Sequence, residues 1–261
     1  MTLPMAPGGP APGGALAAGV PVAATGGAVR PARTPAARDR RFFLWAAVAV
    51  AAIAFAGFSR SYYLRPLFFD APLTWVFHAH GAVLTIWIAL LVGQTALVSA
   101  RRTDLHRRLG VAGGVVAVLV VVSGYAALIT AARRGFAAPV PTLVFLAIPF
   151  FDLVVFTVLC GAGLALRRSP AAHKRLMLLS TISILPAAVA RLPYLLAAGP
   201  LAFFGLADLL IVAMLVHDRR SRGRLHPATV LGGLLLIGSQ VGRLALSGTD
   251  AWQAFARWLV G

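Results

Sequence analysis

The feature that most constrains this chain is a series of apolar runs, each about 20 residues long, separated by short arginine-rich turns. A run of that length matches the hydrocarbon core of a bilayer at about 1.5 Å per helical residue. In lipid every backbone N–H and C=O needs a partner, and a helix supplies all of them within one segment. Runs at 42–58, 73–99, 107–131, 142–166, 171–197, 201–217 and 227–247 predict an all-α membrane protein with seven transmembrane helices in a bundle. Charged residues make up 12% of the chain, against about 25% in a soluble domain, so no sizeable soluble domain is expected.

The net charge of +17 does not point to nucleic acid, because the basic residues sit between apolar runs instead of along one groove. Assigning the turns alternately to two sides puts seventeen of the 24 basic residues on one side. The other side holds Arg60, Arg65, Arg133, Arg134 and Arg257. The positive-inside rule then places the N-terminus in the cytoplasm and the C-terminus outside.

Two segments flank the bundle. Residues 1–40 are rich in Pro, Gly and Ala, end in a basic run, and are expected to be disordered. The bundle occupies 41–247, and 248–261 reads as an amphipathic helix on the outer leaflet, capped by Thr249 and Asp250, with Trp252, Phe255 and Leu259 on one face.

Three turns on the basic side share a plan: RRTDLHRRL, RRSPAAHKRL and RRSRGRLHPA. Each ends in a histidine opening the next helix, namely His106, His173 and His226, with Thr103 and Ser169 as expected N-caps. A first helical turn disfavours a charged imidazole, and the neutral ring is the metal-binding form. Of the three, His106 and His173 are the candidate haem-iron ligands; the alternative is that all three serve as interfacial caps.

Polar residues also lie within the runs. Continuous helix over 171–197 would place His173 and Arg191 on one face, about 27 Å apart. Arg191, Arg243 and Asp208 form an expected outer polar site, with Asp208 pairing one of the arginines; Asp152 sits mid-span with no assigned partner. His78 and His80 fall on opposite faces of the second run. The His78 face, with Ala82 and Thr85, reads as a packing seam, and the His80 face, with Trp87 and Gln94, as a cavity lining or a lipid-facing surface. Spacing leaves open which of the two histidines meets a cofactor. G-x-x-x-G at Gly110–Gly114 and Gly238–Gly242 predicts close helix contact. Nucleotide-fold, Walker and H-E-x-x-H motifs are absent, there is no glutamate, and the single Cys160 permits no intrachain disulfide.

FAGFSRSYYL, HAHG followed by WIALLVGQTALV, LHRRLG, and AHKRLMLL with a downstream ARLP resemble an uncharacterised bacterial family of multi-pass inner-membrane proteins, from about Phe42 to Phe255. The resemblance implies topology and a bacterial inner-membrane location, and brings no activity with it. More distantly, the chain is similar to the di-haem cytochrome b proteins that move electrons across membranes from ascorbate. That likeness implies His106 and His173 as one axial pair; a second pair is missing, because the fourth run has no histidine.

Three readings follow. One is a haem b electron-transfer protein, with His106 and His173 as ligands and the outer Arg191, Arg243, Asp208 and His80 meeting a quinone or the haem propionates. A second is a carrier or binding protein for a small anion or lipid headgroup at the outer arginines. The third is a structural or assembly factor whose polar residues lock the helices. A stand-alone enzyme is not expected; an activity, if there is one, would be that of a membrane oxidoreductase.

Overall fold

The computed structural model describes residues 34–136 and 138–261. Among them every regular element is helical. The chain runs α1 (Pro35–Phe58), a π-turn and a 3₁₀ turn, α2 (Trp75–Ser99), α3 (Thr103–Arg134), α4 (Thr142–Ala165), α5 (Pro170–Ile184), α6 (Pro186–Val189), α7 (Pro200–Arg222), α8 (Pro227–Leu246) and α9 (Asp250–Val260). Six helices are long and apolar enough to cross a membrane: α1 with its π-turn, α2, α3, α4, α7 and α8. They mark the chain as an integral membrane protein.

Most of the tail expected to be disordered, 1–33, lies outside the described residues. From Pro35 onward it is helix. Thr34 accepts from the Ala37 N–H at 3.3 Å, Pro35 occupies the first turn, and Asp39 is anchored by Lys174 and His217. The end of the basic run, from Pro35, thus becomes the first turns of α1.

The run expected over 171–197 departs most from the prediction. Helix α5 ends at Ile184, Pro186 opens the short α6, and the chain turns from Ala190 to Gly199. Pro186 cannot donate an intrahelical bond, and Pro193 disfavours helical geometry at Leu192. Arg191, expected on one helical face with His173, lies in that turn, where Tyr194 has φ of 66°.

Even so, α5 and α6 together run the length of α1. Lys174 meets Asp39 near the start of α1, and Ala188 meets Gly57 near its end. A Cβ on Gly57 would lie 2.1 Å from the Ala188 carbonyl oxygen, so only glycine permits this approach. Helix α5 is the centre of the bundle: Arg175, Leu176 and the whole stretch from Leu178 to Ser183 are buried. Trp87 of α2 reaches it, donating to Thr181 Oγ1 at 3.2 Å.

The two G-x-x-x-G pairs do not mediate close contacts. A Cβ at Gly114, Gly238 or Gly242 would meet nothing within 4 Å, and one at Gly110 only the Gln94 amide. Close approach falls instead to Gly57, Gly124, Gly163 and Gly232, which face neighbouring elements. Helix α9 carries the expected Thr249 cap, and its Trp252 is buried, donating to the Leu143 carbonyl at 2.7 Å. That face therefore packs on α4, leaving Trp258 exposed.

Candidate functional site

Helices α3 and α5 start on the same arginine-rich side and bring His106 and His173 together, with ring centroids 6.2 Å apart and planes at 77°. Ser169 occupies the N-cap position of α5 with Pro170 after it. Thr103, expected as a cap, is instead the first residue of α3, with Arg102 at the cap position. His173 Nδ1 lies 2.8 Å from the Gly163 carbonyl oxygen at the end of α4. A carbonyl only accepts, so Nδ1 carries the proton and Nε2 keeps its lone pair. Metal-binding histidines are oriented by this same kind of bond.

His106 is held more loosely, with the Gln94 backbone beside its ring. Its Nδ1 is buried without a hydrogen-bond partner, as is the nearby Gln94 Oε1. The inward face of α3, fixed by buried Val120 and Ala117, continues back through Gly113 and Gly110 to His106 at helical spacing. A Cβ at Gly113 would touch nothing within 4 Å, and one at Gly110 only the Gln94 Nε2 at 3.8 Å. Glycines thus leave the α3 face next to His106 uncrowded. Among the described residues no three His, Cys, Asp or Glu side chains converge as metal ligands. A metal held by His106 and His173 must bring its remaining ligands with it, as a porphyrin does.

The other histidines stand apart. His80 Nδ1 is 3.1 Å from Ser123 Oγ, and Ser123 lies seventeen residues along α3 from His106, or about 25 Å of helix. His80 thus cannot join the His106–His173 centre. It faces inward with buried Trp87, whereas His78, Ala82 and Thr85 are exposed, which reverses the expected packing seam. His226 caps α8, its Nδ1 accepting from the Ala228 N–H at 3.0 Å.

The expected pairing of Asp208 with Arg191 or Arg243 does not form. Arg243 pairs with Asp152 of α4, not with Asp208, and also donates to the Ile148 carbonyl at 3.0 Å and to Ser239 Oγ at 2.9 Å. Asp208 accepts from Gln240 at 3.0 Å. Arg191, carried past the break after α5, donates to the Ala187 carbonyl and lies 4.6 Å over the Phe58 ring. The separation rests on geometry: Asp152 faces α8 at the depth of Arg243, and the α5–α6 break turns Arg191 toward the end of α1.

A second buried pair has no counterpart in the sequence reading. Arg175 of α5 binds Asp218 of α7 through Nε, at 3.0 and 3.2 Å, and through Nη2. Asp218 also accepts from Thr229 Oγ1 at 2.6 Å and from the His226 N–H at 3.2 Å. The available signal was a carboxylate in the last turns of a helix, where the dipole opposes it unless a cation is close. Both ion pairs hold helices together.

No family model, curated protein or solved structure matches the chain.

Proposed function

We propose that this is a seven-crossing protein of the bacterial inner membrane, with its N-terminus cytoplasmic, that carries electrons through a b-type haem held by His106 and His173. The single observation behind this reading is the adjacency of the two imidazoles across α3 and α5, with His173 already locked in the tautomer that leaves Nε2 free. The seventh crossing is α5–α6, which covers the length of α1 between Asp39 and Gly57 although α5 has only 15 residues. Burial at the bundle centre spares it the long apolar surface that a lipid-facing helix needs.

A bound haem would supply reversible one-electron chemistry at its iron. The chain's own part is orientation and exclusion of water. Gly163 fixes the His173 ring, His106 turns without breaking an existing Nδ1 hydrogen bond, and Gly110 and Gly113 keep the adjoining face of α3 free of side chains. Trp87, Phe156 and Met177 close the deep side with apolar surface. The electron partner would be a membrane quinone or a second membrane redox protein. A carrier of small anions at the outer arginines is less favoured, because Arg243 is committed to Asp152.

The deciding experiment is the absorption spectrum of the detergent-purified protein, oxidised and then dithionite-reduced, after expression with added haem. Sharp reduced bands of the b type that vanish in both His106→Ala and His173→Ala, but persist in His80→Ala, are expected. A flat spectrum from folded protein overturns the reading.

A further inference from the structure

On the arginine-rich side, α1 and α7 enclose a groove of about 340 Å³ lined by Arg38, Phe42, Val216, His217, Arg220 and Ser221, with Ala213 at its far end. From Ser221 to Ala213 the groove follows eight residues of α7, or about 12 Å. Its two ends differ in chemistry. Arg38, Arg220 and Ser221 form a cationic, hydrogen-bonding mouth, and Ser221 Oγ is buried without a partner. Phe42, Val216 and Ala213 make an apolar floor that descends into the bundle's membrane-facing surface.

The nearby carboxylates are already paired, Asp218 with Arg175 and Asp39 with Lys174. Asp39 also accepts from His217 Nε2–H at 3.0 Å, while Phe42 stacks on the His217 ring at 3.9 Å. These contacts fix the groove wall and leave the charges of Arg38 and Arg220 unopposed by those carboxylates.

We propose that this groove seats an anionic phospholipid of the adjoining leaflet, its phosphate between Arg38 and Arg220 and in reach of the Ser221 hydroxyl, its upper acyl chain along Phe42, Val216 and Ala213. Arginine guanidinium groups suit phosphate oxygens geometrically, and a cationic mouth over an apolar floor at a helix end matches a headgroup joined to a hydrocarbon chain. A free phosphate would use the mouth but gain nothing from the floor. The inference rests on the groove alone and is independent of the histidine pair.

The test uses full-length protein in a neutral detergent, with binding followed by native mass spectrometry and by thermal unfolding against added phosphatidylglycerol, phosphatidylcholine or inorganic phosphate. Phosphatidylglycerol is expected to bind and to raise the unfolding temperature. Arg38→Gln and Arg220→Gln should each weaken that binding about tenfold, the scale of one charge-assisted hydrogen bond. Val216→Trp, at a position 42% exposed and thus tolerant of size, should block the lipid while the protein still unfolds cooperatively. Arg168→Gln, an exposed arginine on the same side but outside the groove, should bind as the unaltered protein does. Equal weakening by Arg168→Gln would reduce the effect to general surface charge and overturn the site. Equal binding of phosphatidylcholine would overturn the anion requirement, and full stabilisation by inorganic phosphate would overturn the lipid.

Discussion

Arg175 and Asp218 join α5 to α7 through a paired-nitrogen contact in which both side chains are about 1% exposed. Thr229 and the His226 backbone complete the coordination of the carboxylate, so α8 is tied into the same knot. Breaking such a pair leaves a buried charge without its partner, and Asp218→Asn or Arg175→Ala should each destabilise the protein by about 3–5 kcal/mol. The double change Arg175→Met with Asp218→Leu removes both charges and should recover much of that loss. Thermal unfolding of the four proteins in one detergent measures it. If the double variant is as unstable as the singles combined, the pair is not the source of the cost.

Gly57 marks the tightest contact between α1 and α6. Gly57→Ala adds a Cβ 2.1 Å from the Ala188 carbonyl oxygen, and the backbone must move to admit it. A loss of about 1–3 kcal/mol is expected, the usual cost of overpacking. Gly238→Ala serves as the contrast, since its Cβ meets nothing within 4 Å. An equal loss at both positions would show that helix backbone flexibility, not the α1–α6 approach, makes Gly57 necessary.

His226 makes stability depend on pH. Its imidazole is held below the usual histidine range by burial first, and then by the positive charges of Arg175 and Arg222. The unfolded chain thus takes up a proton more readily than the folded one, and stability is complete above pH of about 6.5 and declines as the pH falls below it. Protonation would also remove the Nδ1 acceptor that caps Ala228. His226→Asn keeps a capping acceptor but does not titrate, so its unfolding temperature should fall less between pH 7.5 and pH 5.5. An unchanged slope would assign the dependence to another group.

Cys160 is the chain's single cysteine and is buried, which makes sidedness directly measurable. In a Cys160→Ala background, Arg224→Cys and Thr249→Cys lie in exposed positions flanking opposite ends of α8. In intact cells an impermeant maleimide should label the cysteine at 249 and spare the one at 224 until the membrane is opened. The reverse pattern would invert the topology.

Much of this architecture was written in single segments. The apolar runs at 73–99, 107–131, 142–166, 201–217 and 227–247 correspond to long helices because lipid partitioning and helix formation add up residue by residue along a segment. The turn pattern placed His106, His173 and His226 in first turns on the same side, the likeness to di-haem cytochromes b singled out the first two, and those two rings lie together. What depends on how one helix is rotated and sunk against another was not written in any segment. Arg243 finds Asp152 instead of Asp208, His80 turns inward while His78 is exposed, and Arg175 with Asp218 becomes a buried pair although Arg175 reads as one more charge in a basic turn. The break between α5 and α6 lies between these cases: its prolines are visible in the sequence, but a 15-residue helix is viable at the centre only because its neighbours cover it. Periodicity shows which residues share a face; only the packed bundle decides what that face meets, because a partner's depth and rotation are set by all the helices around it at once.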